Sequence, residues 1–249
     1  MEVATGDTWV AGADGCRGGW LVVLRRLASA AGARAIVVPK LVDVLELECS
    51  PAAIGVDIPI GLPERVRTGG RAADVEARAH LGARKSAVFP VPARRAVMQS
   101  DYRAACDVAL ACSDPPRKVS KQCFHLFPKI REVDEFMRPE LQSRIYECHP
   151  ELGFWALNGE RPLDHPKKRN SLPWKAGLEH RTGLLERAGY ERTFLEAGPP
   201  CARAVAGLDD FLDAAVCSWS AARIVRGSGR RFPHVPEHDA RGLRMEIWC

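Results

Sequence analysis

The strongest constraint on the fold is a nearly continuous apolar run, AAIGVDIPIGLP, at residues 52–63. Such a run predicts a strand that is buried on both faces of a sheet. Within residues 54–61, Asp57 is the only residue with a polar side chain. A buried carboxylate is costly unless it is paired with a positive charge or binds a cation. The run therefore predicts a central strand and, at Asp57, a candidate site.

The segments before this run predict an antiparallel start to the sheet. Residues 8–13 and 19–26 are apolar runs joined by the glycine-rich turn DGCRGG, which is the pattern of a β-hairpin. A third short apolar run, ARAIVVPKL, follows, and LVDVLELE has the spacing of a short helix. We expect the run at 52–63 to join the sheet in parallel through this crossover.

The later segments predict helices and one returning strand. Residues 62–140 are rich in Arg, Ala and Pro and have helical patterning without a good strand, so we interpret them as a helical insertion on the sheet. A strand is predicted to end near Glu147, with a helix from Pro150 and another over 173–189. The clearest helix is GLDDFLDAAVCSWSAARIVRG, which begins after Gly207. The tail GLRMEIWC predicts an edge strand.

Composition narrows the class of protein. With 46% apolar residues, 249 residues can form one α/β domain over 1–249 that carries the insertion. The formal net charge of +5 is compatible with a polyanionic partner, but many ordinary proteins share it. Nine scattered cysteines without a CxxC pair predict free thiols rather than a zinc site. No targeting signal and no apolar run of ~20 residues is present, so we expect a soluble, cytoplasmic protein with no membrane partner.

Five acidic residues at predicted strand ends and on the last long helix are candidates for a shared catalytic site: Asp14, Asp57, Glu147, Asp210 and Asp213. Such clusters bind Mg²⁺ or Mn²⁺ through oxygen, and a pair of ions about 4 Å apart can activate a water and stabilise a leaving oxygen. Each acid also has an ordinary alternative. Asp-Gly at residues 14–15 is common turn chemistry, and acids in the first turn of a helix compensate its dipole. Asp209 is the better candidate for the helix cap.

The predicted insertion is rich in basic residues. Arginine suits phosphate because its guanidinium presents a planar fork of donors, and basic residues interleaved with Phe124 and Phe127 are suited to a nucleic-acid backbone and its bases. The alternative is that these residues lie on solvated helix faces or in ion pairs within the protein. The candidates for substrate binding, including one residue of the first turn, are Arg17, Arg71, Arg78, Arg84, Lys85, Arg94 and Lys129.

Several blocks resemble the family called domain of unknown function 429: GADGCRGGW, GVDIPIGLP, LGARKSAVFPVPAR, FPKIREVD, ECHPE and GLDDFLDAAVCSWSAAR, in that order. The family is described as predicted nucleases with a ribonuclease H-like fold. The resemblance implies an acid on the first strand (Asp14), one on the fourth (Asp57) and one on the last helix (Asp213, with Asp210 beside it). Asp14, Asp57 and Asp213 would hold the metal, and Glu147 is an addition that the wider fold does not firmly imply.

Three functions remain open at this point. The leading hypothesis is a Mg²⁺- or Mn²⁺-dependent nuclease that acts on DNA or RNA. The alternative is a nucleotide-binding phosphotransferase or phosphohydrolase with a small substrate, because the same fold class uses a similar glycine-rich hairpin to hold phosphate. The third is a nucleic-acid-binding protein without catalysis, since the site rather than the fold determines function. The oligomeric state is open, with a homodimer among the options.

Overall fold

The computed structural model describes residues 8–170 and 172–249. Residues 1–7, where the sequence predicts no targeting signal, lie outside the described residues. The strands are β1 (Trp9–Cys16), β2 (Gly19–Arg26), β3 (Arg34–Val38), β4 (Ile54–Val56), β5 (Val66–Arg67), β6 (Ser113–Asp114), β7 (Ile145–Glu147), β8 (Lys168–Arg169), β9 (Leu172–Pro173), β10 (Arg231–His238) and β11 (Arg244–Trp248). The α-helices are α1 (Ala72–Ala79), α2 (Arg94–Val97), α3 (Tyr102–Ala111), α4 (Lys121–Phe136), α5 (Pro150–Leu157), α6 (Lys175–Arg187), α7 (Arg192–Ala197) and α8 (Leu208–Val225).

A five-stranded mixed sheet forms the centre of the fold, in the order β3-β2-β1-β4-β7. The first three strands are antiparallel, and β4 pairs in parallel with β1 on one side and with β7 on the other. Helices flank the sheet. This confirms the predicted α/β class, with antiparallel first strands and parallel later ones, and the arrangement is consistent with a ribonuclease H-like fold.

The two faces of the sheet are covered by different parts of the chain. Alternate residues of β2 point to opposite faces. Val22 belongs to an apolar cluster with Ala105 of α3 and Phe127 of α4, so helices of the 62–140 segment cover that face. Val23 belongs to a second cluster that contains Phe211 of α8 and residues of α5 and α6. The predicted insertion therefore supplies one of the two covering layers of the sheet.

Helix α8 lies unusually close to β1 and β4 because both strands have a glycine at the contact. A Cβ atom on Gly12 would lie 2.1 Å from the carbonyl oxygen of Ala214. A Cβ atom on Gly55 would lie 2.7 Å from the carbonyl oxygen of Cys217. Neither approach is compatible with a side chain, so the two glycines fix the height of α8 above the sheet.

Several local predictions need correction. The strand predicted over the apolar run is only Ile54–Val56, and Asp57 follows its end instead of lying inside it. The predicted helix LVDVLELE is a 3₁₀ helix over Leu41–Glu46. The 62–140 segment contains one short parallel pair, β5 with β6. The predicted C-terminal edge strand is present as β11, which pairs with β10 in a two-stranded sheet apart from the central one.

Two compositional predictions can be compared with the structure. All nine cysteines are free thiols, as the absence of CxxC spacing predicts. In the described part of the chain, none of the helices combines the length and the apolar character needed to cross a bilayer.

Candidate metal centre

Three aspartates converge where β1, β4 and α8 meet. Gly12 of β1 pairs with Gly55 of β4, and both face α8. Side chains alternate along a strand, so Asp14 lies on the same face as Gly12, and Asp57, just beyond β4, lies on the same face as Gly55. Asp213, in the first half of α8, completes the group. One carboxylate oxygen from each of the three lies within 4.8 Å of the others.

Burial and mutual repulsion disfavour the charged forms of these carboxylates. Asp213 is 1% exposed and Asp14 is 9% exposed, whereas Asp57 is half-buried. Burial raises the pKa of Asp14 well above its usual range, and the charges of Asp57 and Asp213 raise it further. Burial likewise raises the pKa of Asp57, with His149 and Lys167 offsetting part of the rise. Burial raises the pKa of Asp213 to about 6, against the opposing effect of Lys167.

Lys167 is the cation in direct contact with this group. Its Nζ atom donates to the carboxylate of Asp213. Burial alone would lower the pKa of the Lys167 ammonium, but Asp213 and Asp14 outweigh that effect and raise it. The neighbouring Lys168 forms an ion pair with Asp209 at 2.6 Å. One ammonium among three carboxylates leaves the group two positive charges short of neutrality when all three are ionised.

Glu147 does not join the three aspartates, in contrast to the expectation from sequence. It pairs with Val56 in the sheet register and therefore faces the side opposite Asp14 and Asp57. Its Oε1 atom lies 2.5 Å from a guanidinium nitrogen of Arg71, and its Oε2 atom accepts the N–H of Ile60 at 2.7 Å. These contacts join the sheet to the 62–140 segment and give Glu147 a structural partner.

Asp210 lies beside the three aspartates, but it caps α8. Its carboxylate accepts the backbone N–H of Gly207 at 2.8 Å, so Asp210, and not the predicted Asp209, satisfies the start of the helix. Burial raises the pKa of Asp210, and the hydrogen bond from Gly207 opposes that rise. The residue still lines the cavity described below.

Three of the seven basic residues predicted to bind substrate are bonded within the protein. Arg71 is 3% exposed, and its donors bind Asp74, Glu147 and backbone carbonyls. Arg78 donates to the carbonyls of Gly69 and Val88, and Arg94 pairs with Asp134 and Asp239. Arg84 and the exposed Lys85 lie on the 3₁₀ helix Gly82–Ala87 and do not line the cavity that contains Asp14 and Asp57, although Ala87 does. The contacts of Arg71, Arg78 and Arg94 therefore differ from those expected of substrate ligands.

A cavity of about 890 Å³ opens over Asp14 and Asp57. Arg17 and Lys129, both predicted to bind substrate, lie in its lining together with Arg203. Arg17 and Arg203 are exposed, and the Lys129 Nζ atom lies 4.6 Å from the centre of the Trp20 ring. The cavity therefore has carboxylates in its floor and cations near its mouth.

Among the cations of this cavity, sequence reasoning missed Lys167, Lys168 and Arg203. All three lie in segments without helical or strand periodicity, DHPKKRN and GPPCARAVAG, where no spacing relates them to the acids. The one feature of the sequence that could have indicated Lys167 is the adjacent pair Lys167 and Lys168 in an irregular segment. It shows a concentration of charge but does not show which carboxylate each ammonium meets.

Comparison with known proteins gives one match. The family described as protein of unknown function (DUF429) matches residues 12–238, which contain all three aspartates. No curated protein and no solved structure matches the chain.

Proposed function

The chain belongs to the DUF429 family, described as proteins of unknown function, and we propose that it is a metal-dependent nuclease that hydrolyses phosphodiester bonds. One observation carries the proposal: Asp14, Asp57 and Asp213 place three carboxylate oxygens within 4.8 Å of one another, and Asp14 and Asp57 line a cavity. Separate segments of the chain bring these charges together at a cost in repulsion, which a bound cation relieves.

The donor set fits Mg²⁺ or Mn²⁺. Both ions prefer oxygen ligands, and in the described residues the group that can hold a metal consists of carboxylates alone, without a thiol or imidazole. The two negative charges that Lys167 leaves unneutralised match the charge of one divalent ion. Bound there, such an ion would supply activation of water and stabilisation of negative charge on the phosphate.

The chain's own residues would position the substrate. Arg17, Arg203 and Lys129, which line the cavity, are suited to the phosphates beside the bond that is cleaved. Such cations fix the position of a nucleic-acid backbone without reading its sequence. Of these three residues, only Lys129 belongs to the 62–140 segment, so most of the role expected of that segment moves to Arg17 and Arg203.

A second candidate is a phosphohydrolase or phosphotransferase that acts on a small phosphorylated molecule. The cavity volume favours it, because about 890 Å³ falls within the range of about 300–1,000 Å³ for small-molecule sites. The same aspartates would hold the metal, and a smaller ester would replace the polymer. Nucleic-acid binding without catalysis is the third outcome that the experiment below can give.

The test is hydrolysis with Mg²⁺ or Mn²⁺ of labelled single-stranded DNA, duplex DNA and single-stranded RNA, in parallel with nucleoside triphosphates and bis-p-nitrophenyl phosphate. We expect polymer cleavage that requires the divalent ion and is lost in Asp14→Asn, Asp57→Asn and Asp213→Asn. Asp107→Asn, at an exposed position of α3, is the matched control and should keep full activity. Turnover of the small substrates alone would favour the second candidate, and salt-dependent binding that survives Asp14→Asn without any cleavage would favour the third.

A further inference from the structure

Lys167 has a position that the metal site alone does not explain. It lies between α5 and β8, in a segment separate from the elements that carry the aspartates. Its side chain is 32% exposed, whereas that of its partner Asp213 is 1% exposed. The ammonium therefore reaches the buried carboxylate from the cavity side. Its charge also lowers the pKa values of Asp14 and Asp57, so it acts on all three aspartates.

Lys167 differs from the other cations of the cavity. Within residues 8–170 and 172–249, it is the residue whose side chain forms an ion pair with a member of the aspartate group. Lys168 is 44% exposed and pairs with Asp209, outside the group. Arg71 is enclosed between Glu147 and Asp74. Among these cations, Lys167 is the one that both contacts a carboxylate of the metal site and has a side chain partly exposed to the cavity.

Charge balance allows Lys167 to remain when a divalent ion is present. Three carboxylates and one ammonium carry two negative charges in sum, which one divalent ion neutralises. A lysine ammonium has three N–H donors on a flexible stem, and the hydrogen bond to Asp213 uses one of them. The other donors are available to a ligand that enters from the cavity.

We propose that Lys167 is a catalytic residue that binds a non-bridging oxygen of the phosphate group under attack. In phosphoryl transfer, negative charge spreads over the equatorial oxygens, and a cation fixed beside them stabilises the transition state. Water forms the new P–O bond, the ester P–O bond breaks, and the leaving oxygen ends protonated with a proton from that water. Lys167 stays protonated and supplies only charge and hydrogen bonds.

The catalytic part of this inference rests on the proposed function, but phosphate binding can be measured without turnover. Protein loaded with Mn²⁺ is titrated with inorganic phosphate by calorimetry, as wild type, Lys167→Gln, Lys167→Arg and Lys168→Gln. We expect Lys167→Gln to weaken phosphate binding by about tenfold, which corresponds to about 1.4 kcal/mol. Lys168→Gln should stay within about twofold of wild type, and Lys167→Arg should fall between the two.

Mn²⁺ binding to each variant, measured without phosphate, is the check on folding and on the site. Lys167→Gln should bind Mn²⁺ at least as tightly as wild type, because it removes a positive charge beside the metal ligands. If Lys167→Gln does not fold, the test is the phosphate affinity of Lys167→Arg compared with that of Lys168→Gln. Equal phosphate affinity in wild type and the Lys167 variants would overturn the proposal, as would equal losses at positions 167 and 168 or no phosphate binding by the wild type.

Turnover separates this proposal from the proposed function. If the wild type cleaves nucleic acid, Lys167→Gln should lower kcat by about 10²-fold to 10³-fold at saturating Mn²⁺. Replacing the non-bridging oxygen with sulfur should slow the wild type more than Lys167→Gln. Wild type that binds phosphate through Lys167 but cleaves nothing would overturn the nuclease proposal alone. Cleavage that is unchanged in Lys167→Gln would overturn the role of Lys167 alone.

Discussion

Replacing Asp14 with asparagine should make the metal-free protein more stable. The three carboxylate oxygens lie within 4.8 Å of one another, where two full charges repel by about 3.5 kcal/mol at an effective dielectric constant of about 20. Ionised Asp14 has two such neighbours, and the attraction of Lys167 offsets about one of them. Asp14→Asn removes the charge with little change of shape, so at pH 8 in EDTA we expect it to raise the free energy of unfolding by about 3 kcal/mol.

The assay is urea unfolding at pH 8, first in EDTA and then with Mn²⁺. Mn²⁺ at 100 times its Kd should stabilise the wild type by about 2.7 kcal/mol, and it should stabilise Asp14→Asn much less because one ligand has lost its charge. The advantage of Asp14→Asn in EDTA should therefore almost disappear when the ion is added. It should also disappear near pH 3, where the carboxyl group is protonated in the folded and unfolded wild type.

Asp107→Asn is the control, because it removes an exposed aspartate outside the group and should change neither measurement. Asp74→Asn gives the opposite comparison. Asp74 is fully buried and accepts from Arg71, so its neutralisation should destabilise the protein. If Asp14→Asn also destabilises the protein in EDTA, or if Mn²⁺ stabilises it as much as the wild type, the three carboxylates do not repel one another as argued.

Three further predictions concern pH, the buried arginine and the close helix contact. Because the pKa of Asp213 is about 6 when folded and 3.8 ordinarily, this group should cost the wild type in EDTA up to about 3 kcal/mol as pH rises from 4 through 6. Asp213→Asn should lose less than the wild type, since only the raised pKa values of Asp14 and Asp57 then contribute; a flat wild-type profile in pH-dependent urea unfolding would contradict this. Arg71→Met should lower the free energy of unfolding by about 3–5 kcal/mol, because Glu147 is left buried without its ion-pair partner. A loss below about 1 kcal/mol in urea unfolding would contradict this. Gly12→Ala places a Cβ atom 2.1 Å from a backbone oxygen of α8 and should abolish cooperative thermal unfolding followed by circular dichroism, whereas a wild-type transition would refute the contact.

The sequence predicted the elements of this fold better than it predicted the faces of the sheet. Hairpin turns, apolar runs and the Gly207 start of α8 are local signals, and each element appeared near its predicted position. The side on which a strand residue points depends on register, and a shift of one residue reverses it. Asp14 and Asp57 face α8 while Glu147 faces Arg71, although all three lie in or directly after the neighbouring strands β1, β4 and β7. Sequence alone did not separate them.

The partners of the charged residues were the least predictable feature. In the sequence, Arg71 and Arg94 resembled phosphate ligands, because clustered arginines are also what a phosphate-binding segment contains. Only the folded chain shows that Asp74, Glu147 and Asp239 already bind them. Lys167 is the opposite example, a site residue that was not predicted. It lies in an irregular segment and contacts Asp213, which is 46 positions away in sequence. Contacts of this kind depend on tertiary structure, which local periodicity does not encode.

The bridge between Arg71 and Glu147 has an evolutionary consequence. It links the 62–140 segment to the sheet. A relative without this segment would leave the Glu147 carboxylate without its arginine partner and would expose the apolar sheet face around Val22, which the segment covers here. Such a relative is expected to carry a neutral residue at position 147 as well. Positions 71 and 147 should accordingly change together among descendants of a common ancestor, whether or not those descendants keep the aspartates on the opposite face of the sheet.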